Sequence, residues 1–216
     1  MKPSKQARLQ AGLVGVGLLP ALHAAYQGVQ TLRRCGPGLG PHPLERLAQI
    51  SGSWALYFLL LSLAITPLRR LLRAAWLVRA RRTLGLLSFF YASQHAVTWL
   101  LGRAVDPVQR IGPSILSDIS QRPYVTLGAL AFVALVPLAV TSTRAMVRRL
   151  GRRWQHLHRL VYGAAFLAVM HFTWQAKQDA WRAFLCAGLW LLGMALRLIF
   201  WARDLRTSLS PDSDES

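Results

Sequence analysis

The sequence predicts an all-α integral membrane protein, a six-transmembrane-helix bundle with both termini cytoplasmic. Three observations carry this expectation. Hydrophobic residues fill 53% of the 216 positions and the mean hydropathy is +0.31, a composition that favours lipid over water as solvent. Apolar runs of about 17 to 25 residues, the length that crosses about 30 Å of hydrocarbon, recur along the chain. The basic residues fall between those runs rather than across one face of a domain.

In chain order the expected spans cover residues 9–26, 52–68, 83–101, 124–141, 154–174 and 180–201. All are expected to be helical, because an open sheet would leave backbone groups unpaired in lipid. The second and fourth are short and hold Pro67 and Pro137 near one end. The start, MKPSKQAR and an apolar run, lacks a good small-residue cleavage site and reads as a retained first helix rather than a signal peptide. Between the first two spans, residues 27–51 contain CGPGLGPHP and are expected to be irregular. The second outer loop, residues 102–123, carries Asp106, Arg110, Asp118 and Arg122 and is polar enough to meet water or a partner. One membrane domain is therefore expected over residues 1–206, followed by an acidic, serine-rich tail over 207–216 of disordered composition.

The net charge of +18 raises nucleic acid as a partner, but its distribution argues for orientation instead. With the N-terminus inside, Lys2, Lys5 and Arg8, then Arg69, Arg70, Arg73, Arg79, Arg81 and Arg82, lie on the cytoplasmic side. Arg144, Arg148, Arg149, Arg152, Arg153, Arg203 and Arg206 join them, 16 in all. Only 8 basic residues fall outside, among them Arg33, Arg34, Arg46, Arg103 and Arg182. This is the positive-inside asymmetry, and a basic inner rim suits anionic membrane lipid. Nucleic-acid binding is not expected. The cysteines are Cys35 and Cys186, without CxxC or CxxCH, which excludes a covalent c-type haem motif and a cysteine-ligated zinc or iron–sulfur site. No Walker motif, GxGxxG, GxSxG or HExxH occurs, so the chain carries no visible nucleotide-binding module.

Three histidines stand inside apolar stretches: His95 in SFFYASQHAVTWLL, His158 in WQHLHRLVYGAAFL and His171 in FLAVMHFTW. A polar side chain at membrane depth costs a few kcal/mol and persists where it meets a partner or carries function. Imidazole is a usual axial ligand of haem iron, so a haem held between two helices would satisfy ligand and cofactor together. From the helical rise, His95 lies about 9 Å and His171 about 5 Å from the outer ends of their spans, and His158 lies near the inner surface, about 20 Å from His171. Paired, His95 and His171 would fill both axial positions, which suits electron transfer rather than oxygen activation. Ser93, Thr98 and Thr173 are candidate acceptors for their second ring nitrogens. Arg110, Arg122 and Lys177 are candidate partners for haem propionates at the outer rim.

On an ideal helix His158 and His171 lie about 140° apart, which a bend near Gly163 or two cofactors approached from different sides would reconcile. His156 is only about 60° off His171 and competes as the inner ligand. The remaining histidines fit plainer roles: His23 packs within the first span, His42 is solvated in a proline-rich loop, and His156 sits among interfacial arginines. Most tryptophans belong to the interfacial belts, including Trp76, Trp154, Trp174 and Trp201.

The stretches RRTLGLLSFFYASQHAVTW, QRPYVTLG, AVTSTRAM, LGRRWQHLHRLVYGAAF and MHFTW, with ITPLRR before them, resemble the MsrQ (YedZ) family. These are haem-binding membrane subunits of bacterial MsrPQ methionine sulfoxide reductase systems, within the wider ferric-reductase-like transmembrane family. The resemblance implies haem b in a bacterial inner-membrane protein, with His95, His158 and His171 as haem-linked positions. It implies electrons from quinol or a cytoplasmic flavin reductase, and delivery to MsrP, a periplasmic molybdopterin enzyme that repairs methionine sulfoxide in proteins. The chain would then be an electron-transfer subunit rather than the catalytic reductase. FMN near the inner arginines is a further implied cofactor. The sequence departs from the wider family at Arg81, where ferric reductases and NADPH oxidases carry a second histidine. An inner haem on His158 would need His156 or a non-protein ligand. The flavin and nicotinamide domain of the large oxidases is absent, in line with the missing nucleotide motif. Two other readings are open to the residues alone: a transporter or channel relaying protons through histidine, whose expected membrane carboxylates are missing, and a haem-free assembly factor.

Overall fold

The computed structural model describes residues 5–74, 77–105, 117–176 and 180–209. Every regular element in them is helical: α1 (Lys5–Arg33), α2 (Pro43–Leu72), α3 (Val78–Ala104), α4 (Pro123–Val140), α5 (Arg144–Leu150), α6 (Arg152–His158), α7 (Leu160–Gln175) and α8 (Ala180–Leu209), with a helical turn over residues 117–121. Four helices are long and apolar enough to cross a bilayer, with segments Ala7–Arg33, Pro43–Leu72, Pro123–Val140 and Ala180–Thr207. The chain is an all-helical, multi-pass membrane protein. The two helices that carry His95 and His171 fall short of the same measure: the uncharged stretch of α3 between Arg82 and Arg103 is diluted by polar residues such as Ser93, Gln94 and His95, and α7 is only 16 residues long.

Helix ends run past the apolar cores that announce them. The first outer connection narrows from the expected residues 27–51 to about residues 34–42, because α1 continues to Arg33 and Pro43 starts α2. Proline's fixed φ and missing N–H suit that first-turn position. At the far end α2 stops at Arg73, a left-handed cap with φ of 53°. Pro137 lies three residues before the end of α4, and its carbonyl is captured by both the N–H and the hydroxyl of Thr141. Gly151, with φ of 51° and ψ of −123°, separates α5 from α6 in backbone space that favours glycine.

The expected fifth span is divided. Its interruption is at Arg159, between α6 and α7, and not at Gly163, which lies inside α7. Around it Arg159 N–H bonds to the His156 carbonyl and Tyr162 N–H to the Arg159 carbonyl, the tighter i to i+3 pattern of a 3₁₀ turn. His158 and His171 therefore belong to different helices, and the ideal-helix angle between them does not apply.

Two hairpins organise the molecule, α2 on α3 and α4 on α7. In the first, Ser62 bonds to the Arg81 carbonyl, Ser88 to the Ala55 carbonyl and His95 to the Ala48 carbonyl. One index rises as the other falls, so the pair is antiparallel along its whole length. Small side chains let such helices approach closely and supply hydrogen bonds between them. Helix α2 is the hub. Phe58 packs with Leu84, Leu87 and Tyr91 beneath α1; Leu59 and Leu63 pack with Leu135, Leu138, Ala164 and Ala165; Leu56 and Leu60 pack with Val169 and Cys186. The opposite surfaces of α1 and α8 expose Val16, Leu32, Phe184 and Leu198, as lipid-facing helices do. Residues 207–209, the start of the expected tail, continue α8; the rest of that tail, residues 210–216, lies outside the described residues.

Candidate functional site

The antiparallel hairpins bring the C-terminal parts of α3 and α7 together, at the end expected to face outward, and His95 and His171 meet there. Their ring centres are 6.0 Å apart with planes at 71°. Each ring is tied to the other helix of its own hairpin: Nδ1 of His95 lies 2.8 Å from the Ala48 carbonyl, and Nδ1 of His171 lies 2.7 Å from the Tyr124 carbonyl. A carbonyl only accepts, so each Nδ1 carries the proton and donates. Each Nε2 is left with its lone pair, the form in which imidazole binds a metal, and an N–H anchored on a carbonyl is the usual support of a ligating histidine. An imidazole nitrogen sits about 2 Å from a bound metal, so two rings on opposite sides of one iron have centres roughly 6 Å apart, as these do. The donor set and its spacing fit a bis-imidazole haem.

The acceptors are not those the side chains suggested. Ser93 bonds to the Phe89 carbonyl, Thr98 to the Gln94 and His95 carbonyls, and Thr173 to the Val169 carbonyl, each within its own helix. The backbone groups that hold the rings carry no side-chain signature. At the outer rim the buried Asp118 lies 2.8 Å from Arg103 and 3.1 Å from Arg122. The Arg103 contact is off the hydrogen-bonding angle, which leaves Oδ2 as a charge contact only. Arg122 is also 3.5 Å from the Tyr124 hydroxyl; that bond, then Asp118, holds its guanidinium pKa above the ordinary value. Of the expected propionate partners, Arg122 is thus already engaged with Asp118, while Arg110 and Lys177 lie outside the described residues.

The opposite end, expected to face inward, is built differently. His158 closes α6, half-buried, with its ring stacked on Trp154 at 4.0 Å and Nε2 3.1 Å from the Thr141 hydroxyl. That hydroxyl already donates its single proton to the Pro137 carbonyl at 2.6 Å, so it accepts from His158, and Nε2 carries the proton. Trp154 completes the arrangement by donating to the Thr141 carbonyl at 3.0 Å. Among the described residues no three of histidine, cysteine, aspartate and glutamate gather in a metal-binding group, and His156 is exposed. Arg81 is within electrostatic reach of both His158 and Arg197. Arg197, within the expected span 180–201, donates to the Tyr162 hydroxyl at 2.7 Å and to the Leu63 carbonyl, tying α8 to α7 and α2. His23 and His42 are exposed.

Comparison with known proteins points the same way. Residues 51–169 match the family model of the ferric reductase like transmembrane component. The protein-methionine-sulfoxide reductase heme-binding subunit MsrQ of Ralstonia nicotianae is 46% identical over 166 residues, 75% of this chain and 74% of the relative. The corresponding MsrQ of Bordetella pertussis is 41% identical over 199 residues, 91% of each chain, and that of Herminiimonas arsenicoxydans is 44% identical over 181 residues, 82% of this chain and 81% of the relative.

Proposed function

We propose, from the premise that this chain belongs to the MsrQ family of ferric-reductase-like transmembrane proteins, that it is a haem b-containing electron-transfer subunit of a bacterial inner membrane. Electrons enter from membrane quinol or a cytoplasmic flavin reductase and leave to an MsrP-like periplasmic molybdopterin reductase that repairs methionine sulfoxide in proteins. The observation that carries this reading is the facing of His95 and His171, each with Nδ1 bonded to a carbonyl and Nε2 without a hydrogen-bond partner among the described residues.

In this reading His95 and His171 would hold a noncovalent haem through their Nε2 atoms. The group would supply one-electron redox chemistry when bound, and two protein nitrogens holding it would suit electron transfer rather than substrate activation. The chain's own part is to hold. Nδ1–H bonds to Ala48 and Tyr124 fix each ring's tautomer and orientation, which limits rearrangement when the charge at the site changes. The salt bridges of Asp118 with Arg103 and Arg122 brace the outer ends of α3 and α4 beside the site. Six spans with both termini cytoplasmic follow if α3 and α7 cross together with the four longer helices, which puts the arginines of the α2–α3 and α4–α7 connections on the inner side. There His158, Arg81 and Arg197 form a cationic face suited to the phosphate of FMN, or to a second haem with His158 as ligand. The domain then runs over residues 1–206.

The purified full-length protein, supplied with haem, is expected to give a b-type Soret shift between air-oxidised and dithionite-reduced states. Reconstitution with quinol and an MsrP-like reductase is expected to drive methionine sulfoxide reduction. A preparation that takes up no haem after supplementation overturns the reading.

A further inference from the structure

The two halves of the outer site are copies of one another. His95 donates to a carbonyl 47 residues earlier, and His171 does the same over 47 residues. One shift in register carries Ala48, Gly52 and His95 onto Tyr124, Gly128 and His171. The glycine stands one turn past the accepting carbonyl in each case, on the helix face against which the imidazole lies. A Cβ on Gly52 would sit 2.9 Å from Nδ1 and 3.1 Å from Cε1 of His95; on Gly128 it would sit 2.9 Å and 3.0 Å from the same atoms of His171. Real Cβ atoms do not approach so closely. Either the ring withdraws from the helix and loses its carbonyl, or the helices separate.

We infer that Gly52 with the Ala48 carbonyl, and Gly128 with the Tyr124 carbonyl, are a matched pair of positioning cradles that set the tautomer and ring plane of His95 and His171. This rests on the assignment of those two histidines as haem ligands. Neither glycine is needed for backbone conformation, since both lie inside regular helices, and alanine is the better helix former. What each position requires is the absence of a methyl group, so that the imidazole can lie flat on the backbone and reach the carbonyl one turn back. The ring planes, 71° apart, follow from the two cradles being held on two separate hairpins.

The test uses full-length protein in detergent, supplied with haem, as wild type, Gly52→Ala, Gly128→Ala and Gly163→Ala. Gly163 lies on α7, where an added methyl group would meet nothing within 4 Å. Wild-type oxidised protein is expected to give the large-gmax low-spin EPR signal of imidazole planes far from parallel. Gly52→Ala and Gly128→Ala are each expected to lower haem content several-fold, and to move the EPR lines of whatever haem remains, while Gly163→Ala matches wild type. Unchanged haem content and unmoved lines in both glycine variants overturn the inference, as does an effect confined to one of them. A wild-type signal of parallel planes overturns it without any variant, so a variant that fails to fold does not protect it. His95→Ala and His171→Ala, measured alongside, separate the two levels: if they keep full haem, the ligand assignment has failed; if they lose it while the glycine variants do not, only the cradles have.

Discussion

The two ends of this bundle, outer and inner in the proposed orientation, each present histidine to a neighbouring helix, and they differ in which ring nitrogen is used. At the outer end Nδ1 is bound to a carbonyl, and Nε2 of both His95 and His171 has no hydrogen-bond partner among the described residues. At the inner end Nε2 of His158 is the donor, taken by Thr141, and the ring face is covered by Trp154. The repeat that builds the outer pair also breaks here: the register shift that sets His171 on His95 sets His158 on Arg82, beside Arg81. Histidines set in similar helices are thus held through different ring nitrogens. The choice lies in the acceptor offered by the neighbouring helix, a carbonyl that frees Nε2 or a hydroxyl that occupies it.

Changes to the supports of either end sharpen this contrast. The largest effect is expected from Asp118→Ala, which strips Arg103 and Arg122 of their buried carboxylate. Removing one partner of an ion pair leaves the remaining charge uncompensated, so a clear fall in thermal stability is expected in a detergent melt, with faster loss of outer haem. Tyr91→Phe comes next. The wholly buried phenol donates to the Gly17 carbonyl at 2.7 Å and accepts from Ala21 N–H at 3.1 Å, the two groups that a regular turn of α1 would pair. Its removal is expected to cost about 1 kcal/mol, seen as earlier proteolysis of α1, with the haem spectrum unchanged. Thr141→Val is the smallest: it frees His158 Nε2 and is expected to cost under about 1 kcal/mol in the same melt. Because it acts only at the inner end, the outer haem signal should keep its position, and a displaced signal would mean that the two ends are not independent.

Much of this was legible in the residues. The middles of the helices follow from hydropathy, and the separation of an outer pair from an inner single follows from counting residues along His95, His158 and His171. The helix ends do not, because α1 and α2 run beyond their apolar cores on proline and turn chemistry, at Pro43 and Arg73. The break at Arg159 was hidden for a related reason: a glycine four residues later offered the plainer signal, yet the chain tightens where its i to i+3 bonds are satisfied. The acceptors for the outer rings were hidden more deeply. Ala48 and Tyr124 act through carbonyls that every residue possesses, and the hydroxyls of Ser93, Thr98 and Thr173 turned back onto their own helices. Gly52 and Gly128, at matching positions one turn on, were the trace of that arrangement in the sequence. Thr141 as the partner of His158 depends on the packing of α4 against α6 and leaves no comparable pattern.

The most direct test of the outer pair is haem content per chain in His95→Ala, His171→Ala and His158→Ala proteins purified side by side with wild type. The first two are expected to lose most of their haem and the third to keep more of it; equal loss in all three would contradict the division between the two ends.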